Sequence, residues 1–91
     1  MTPEGSVKQY LRERVKALRG EIRFVKWIGQ RNAPDCLVLL ADRQPTYVET
    51  KAPGKRPRPA QVREFNRLRR LNCNVIVCAT KEAVDEHFPL P

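Results

Sequence analysis

A single histidine, His87, stands near the end of the chain, and the three cysteines, Cys36, Cys73 and Cys78, include no CxxC pair. Structural zinc centres draw on closely spaced Cys and His ligands, so a zinc site built from these four residues is not expected. An odd cysteine count inside apolar stretches also argues against a disulfide framework and for reduced thiols in a cytoplasmic setting. Long apolar runs are missing as well. The longest, Cys36 to Ala41, has six residues, against the roughly 20 that a membrane-spanning helix needs. The N-terminal stretch has no continuous apolar core, so no secretory leader is expected. Acid is scarce beside base: 10 Asp and Glu against 18 Lys and Arg, a formal net charge of +8. Such an imbalance points to a polyanionic partner, with nucleic acid ahead of an anionic membrane. At 91 residues the chain is long enough for one domain, 1–91. A domain of that size buries only about 60–70% of its unfolded surface, so a second copy would add to its stability.

What is present reads as alternating helices and strands. Thr2-Pro3 is an N-cap followed by a first-turn proline, and Val7, Tyr10, Leu11, Val15 and Leu18 recur at helical spacing up to Gly20. Glu4 falls on the same stripe, three residues before Val7. It either reaches a site on the sheet or complements the helix dipole. "EIRFVKWIG" alternates as a strand, with Lys26 on the face of Phe24 and Ile28, and Val25 and Trp27 on the other. Lys26 there either snorkels to the sheet edge or reaches a site. Residues 35–41 form a second strand with Asp35 at its mouth, and "TYVETK" a third. The short connections favour an antiparallel meander. After the basic, proline-rich "APGKRPRP" comes a helix with Val62, Phe65, Leu68 and Leu71 as its apolar stripe, stopped near Asn72. "NVIVCA" follows as a buried strand, reached by a right-handed crossover and parallel to the third. Thr80 caps a short final helix. The expected fold is α/β, in the order αβββαβα, a mixed sheet flanked by helices.

Three charged groups converge in this outline. Glu49 and Lys51 are two apart on a strand and share a face. An antiparallel neighbour joined by a short turn places Asp35 beside them. Two close carboxylates repel unless a cation lies between them. Lys51 supplies one charge; a hard divalent ion, Mg²⁺ or Mn²⁺, would supply more. That chemistry suits phosphodiester hydrolysis: an ion on Asp35 and Glu49 activates water and neutralises phosphoryl charge, and Lys51 orients or deprotonates the water or stabilises the transition state. Gln61, four residues before Phe65 on the same helical face, is placed to point back at the sheet. The competing reading is a surface salt bridge, since Glu-x-Lys alone is common on solvent-facing strands. Lys55, Arg56 and Arg58, in a loop stiffened by prolines, are candidates for phosphate contacts.

On these residues, "APD…YVETKAPGKRPRPAQ", the chain resembles the PD-(D/E)xK nucleases. More narrowly, it is similar to the virus-type replication-repair nuclease (VRR-NUC) domains that occur as small stand-alone phage proteins. The resemblance runs from Glu4 through Lys26, Pro34-Asp35 and Glu49-Thr50-Lys51 to Gln61. It implies a restriction-endonuclease-like core and a metal-dependent endonuclease. Asp35, Glu49 and the Thr50 carbonyl would be the metal ligands, Lys51 the catalytic lysine and Glu4 an accessory acid. It further implies a homodimer, branched DNA such as four-way junctions as substrate, and the host cytoplasm as location. One departure is Asn32-Ala33 before the Pro-Asp, where the family often has glycine. The alternatives are a non-catalytic DNA-binding module on the same fold, and an RNA-processing nuclease.

Overall fold

The computed structural model describes residues 1–91. Seven elements follow one another: α1 (Pro3–Ala17), β1 (Glu21–Phe24), β2 (Cys36–Leu39), β3 (Thr46–Thr50), α2 (Pro59–Arg70), β4 (Asn74–Cys78) and α3 (Lys81–His87). The order is the αβββαβα read from sequence. The sheet runs β1-β2-β3-β4; the first three strands form the antiparallel meander, and β4 lies parallel to β3 across the α2 crossover.

Strand alternation divides the interior in two. Cys36, Val38, Val48 and Cys78 project to one face and bury Val7, Leu11 and Val15 of α1 with Val84 and Phe88 around α3. Tyr47, Val75 and Val77 project to the other and pack on Phe65 and Leu68 of α2, with Trp27 closing the cluster. An exposed clamp ties α3 to α1. Asp85 accepts from Tyr10 Oη at 2.7 Å and from Arg14 Nη2 at 2.6 Å, and Arg14 Nη1 donates to the Phe88 carbonyl at 2.6 Å. Burial pushes the Cys36 thiol up to about 12 and the Cys78 thiol up to about 11, so both are neutral core fillers.

Two expectations are corrected. The first strand is shorter than "EIRFVKWIG": Val25 N–H still reaches the Asp35 carbonyl at 2.8 Å, but the chain then leaves the sheet. It does so because Trp27 folds back over Tyr47, ring centroids 5.3 Å apart, and donates Nε1–H to the Pro34 carbonyl at 2.7 Å. Trp27 is therefore spent in the chain's own core, and Lys26 is an exposed loop residue with no strand face to share with Phe24 and Ile28. Second, the buried stripe of α2 is Gln61, Glu64, Phe65 and Leu68, while Val62 and Leu71 are exposed. Strand β4 is buried as expected, with Val75 and Cys78 covered, although it lies at the edge of the sheet. Its unbroken apolar run is explained by helices on both of its faces.

Helix α1 stops in a Schellman geometry: Gly20 N–H bonds the Val15 carbonyl, Arg19 N–H bonds the Lys16 carbonyl, and Arg19 itself takes the left-handed conformation, φ 61°. Gly20 serves a different need. A Cβ there would collide with the Leu39 carbonyl oxygen and the Leu40 side chain where the helix hands over to the sheet. Gly20→Ala should therefore destabilise by about 1–3 kcal/mol, whereas Arg19→Gly should stabilise by up to about 1 kcal/mol by relieving the left-handed residue. Urea melts of the two variants check both signs.

Candidate active site

The site lies where β3 ends. Glu49 is on the α2 face of β3, between the core-facing Val48 and Thr50. Lys51 follows, still extended, its N–H on the Cys78 carbonyl at 3.0 Å. Its Nζ sits 3.2 Å from Glu49 Oε2, and both side chains are largely covered, 16% and 12% exposed. Gln61 locks the pair from α2. Its Oε1 accepts from Lys51 Nζ at 3.0 Å and from Arg58 N–H at 2.9 Å. Two donors on one oxygen orient the amide, so Nε2 faces Glu49 Oε2, at 3.4 Å. One residue thus caps α2 and ties the helix to the strand. Gln61 is at N3, the position from which a side chain can reach back to the N-cap N–H.

Asp35 comes from the neighbouring strand. Cys36 pairs with Val48 and Leu37 with Tyr47; continuing that register by one step puts Asp35 across from Glu49. The electrostatics agree. Burial holds the Glu49 carboxyl above its usual range; Lys51 pulls it down, but the negative charges of Asp35 and Glu4 push it up again. Glu4 is exposed in the first turn of α1, and acts here through its charge. Asp35 itself is half-exposed and 3.7 Å from Lys8 Nζ. That contact was not anticipated, although Lys8 stands four residues after Glu4 and so shares its helical side. A pair this open contributes at most about 1 kcal/mol and is readily exchanged for a stronger cation.

Lys55, Arg56 and Arg58 are exposed in the loop that connects Lys51 to α2. Lys26 lies in the other loop of this end, between β1 and β2, exposed and outside the Glu49–Lys51–Gln61 cluster.

The donor set suits a hard divalent ion. No three His, Cys, Asp and Glu side chains gather into one cluster; the sheet instead sets two carboxylates opposite each other, with a third acid acting at longer range. Strand alternation adds a backbone donor. Lys51 N–H faces β4, so the Thr50 carbonyl turns toward β2, where the residue opposite is Pro34, which has no N–H to offer. Two carboxylates, one carbonyl and water are what Mg²⁺ accepts.

No family model matches the chain. It is 39% identical over 80 residues to "Putative nuclease p44" of Acyrthosiphon pisum secondary endosymbiont phage 1, an alignment covering 87% of this chain and 85% of that one. A solved structure described as a "VRR_NUC domain" superposes with a TM-score of 0.87 at 38% identity, over 94% of each chain.

The raised Glu49 carboxyl has a consequence for stability. A group whose folded pKa lies above its unfolded value, 4.5 here, adds stability that is complete below the unfolded pKa and is lost as pH rises through the folded one. Glu49→Gln carries no such proton. In chelator, urea melts between about pH 4 and pH 8 should show the Gln variant gaining on the wild type as pH rises. A difference that stays flat, or moves the other way, would mean that Lys51 and Gln61 compensate the buried carboxylate in full.

Proposed function

Because the chain belongs to the VRR_NUC family of nucleases, we propose that it is a divalent-metal-dependent DNA endonuclease that hydrolyses phosphodiester bonds in branched structures such as four-way junctions. The observation that carries this reading is the half-buried Glu49–Lys51–Gln61 cluster set opposite Asp35 in a chain of net charge +8. A salt bridge kept only for the surface would not need a glutamine from another element to orient both partners, nor a second acid across the strand.

In this proposal Asp35, Glu49 and the Thr50 carbonyl hold Mg²⁺ or Mn²⁺, and Glu4 raises the negative potential that attracts it. The bound ion would supply Lewis acidity toward a phosphoryl oxygen and a more acidic water. The Lys51 ammonium, fixed between Glu49 and Gln61, points a preorganised positive charge at the oxygens that gain charge in the transition state. Gln61 holds that ammonium in place and keeps the start of α2, with its basic loop, against the site. Lys55, Arg56 and Arg58 make phosphate contacts and read no bases. Alanine at all three should weaken binding on every DNA sequence and lower the salt dependence by roughly one slope unit per contact.

A twofold dimer would present two such sites to the two strands of a junction. The exposed Phe24 and Ile28, 48% and 95% accessible, are apolar surface that a second copy could cover.

Asp35→Asn and Glu49→Gln should abolish cleavage of labelled junction, flap and linear DNA while leaving DNA binding intact. Lys51→Ala should slow it about a hundredfold or more. A readout independent of turnover is thermal stability: saturating Mg²⁺ should stabilise the wild type, by about 2.7 kcal/mol at a hundred times Kd, and should not stabilise Glu49→Gln. Wild-type cleavage in either acid variant would overturn the metal site. Light scattering of the wild type with junction DNA should give a dimer; a monomer would remove paired cutting but leave hydrolysis standing.

A further inference from the structure

Helix α2 carries four arginines, and they are used differently. Arg69 turns inward. Its Nε and Nη2 donate to the Val75 carbonyl at 3.1 and 2.8 Å, and its Nη1 to Asn66 Oδ1 at 2.9 Å, tying the end of the helix to β4. Arg67 Nη2 lies 2.7 Å from Glu64 Oε1, and Glu64 is only 7% exposed. Arg63 and Arg70 are exposed and pair with no carboxylate.

Positions 63, 67 and 70 are four and three apart, so these side chains share one face of the helix. That face is one wall of an open groove of about 530 Å³, whose other wall is Gln30 and Asn32 of the β1–β2 connection. Both walls lead to the site described above. Asn32 stands three residues before Asp35, and Ala60, which also lines the groove, precedes Gln61.

We propose that this groove holds the sugar-phosphate backbone of the DNA strand as it leaves the scissile position, with Arg63 and Arg70 as phosphate contacts and Glu64 as the residue that positions Arg67. The inference rests on the nuclease reading for its choice of DNA. Charge and chemistry select the ligand: guanidinium forks bind phosphate oxygens, and Gln30, Asn32 and Asn66 offer amide donors. The groove has one apolar residue and no aromatic ring, so it has nothing on which to stack bases. Its length fits too. Arg70 is seven steps along the helix from Arg63, a rise of about 10.5 Å, which is the axial rise of about three nucleotides at 3.4 Å each. Glu64 would repel phosphate if free. Buried beneath Arg67, it instead fixes that guanidinium in the row.

The test is equilibrium binding of the full chain to labelled DNA duplex and junction in chelator, over a series of salt concentrations. Arg63→Ala/Arg70→Ala should weaken binding to all sequences alike and reduce the slope of log K against log salt by about 1.8. Arg63→Lys/Arg70→Lys should restore most of the slope. Glu64→Gln should weaken binding without lowering the slope by a full unit, because it frees Arg67 without removing its charge. The melting temperature and the Mg²⁺-induced stabilisation of the Arg63→Ala/Arg70→Ala variant should match the wild type. Unchanged affinity and slope in that variant would overturn the track, and tighter binding to RNA duplex than to DNA would overturn DNA as its occupant. Because binding is read without metal, a wild type that fails to cut would discredit the catalytic assignment alone.

Discussion

A carboxylate held mostly out of water between an ammonium and an amide is the constraint around which this small fold is arranged. Glu49 could not remain ionised at the end of a covered strand without compensation. Lys51 supplies the charge, and Gln61 supplies the geometry by binding both partners and the N-cap of α2. No buried side-chain nitrogen or oxygen lacks a partner, so the polar cluster is part of the packing. The residual cost shows in the direction of the Glu49 shift: burial still outweighs Lys51, and the acids nearby add to it. That leftover negative potential is what a divalent cation would relieve.

Placing such a cluster on a thin sheet requires that the rest of the core lie elsewhere. Alternation along β3 does this. Thr46, Val48 and Thr50 are buried toward α1 and α3, which leaves Tyr47 and Glu49 to the α2 face. The α2 face therefore holds a small apolar cluster beside a polar site, and Trp27 must fold out of the first strand to complete that cluster. The same fold-back brings the β1–β2 connection against α2 and forms the far wall of the basic groove. Site, secondary core and groove are consequences of one sheet face shared between apolar and charged residues.

The excess positive charge is likewise divided. Arg14, Arg69 and Arg43 are spent on carbonyls and exposed acids that fasten the ends of helices. Lys51 and Lys8 neutralise carboxylates at the site. Lys55, Arg56, Arg58, Arg63 and Arg70 take part in neither task and remain on the surface around the strand ends and along α2. Part of the charge that folding does not use therefore lies in the loop beside the acids and on one face of α2.

Element order, the meander, the parallel crossover and the register that sets Asp35 across from Glu49 were legible in the sequence. They follow from local rules: period-2 and period-3.6 patterns, short turns, and two-residue spacing on a strand. Gln61 was legible for the same reason, as a first-turn residue on the same face as Phe65. The end of β1, the buried Glu64, the exposure of Val62 and Leu71 and the contact of Lys8 with Asp35 were not. Trp27 looks like a strand residue until one knows that Tyr47 and the Pro34 carbonyl are within its reach. Glu64 looks like a solvated residue, yet it is buried against the groove with Arg67 2.7 Å from its carboxylate. Sequence alone determined which residues could share a strand or a helix face, because backbone geometry sets those periods. Only tertiary structure decided which face was covered and by what, because burial depends on segments distant in the chain, and no local spacing encodes their approach.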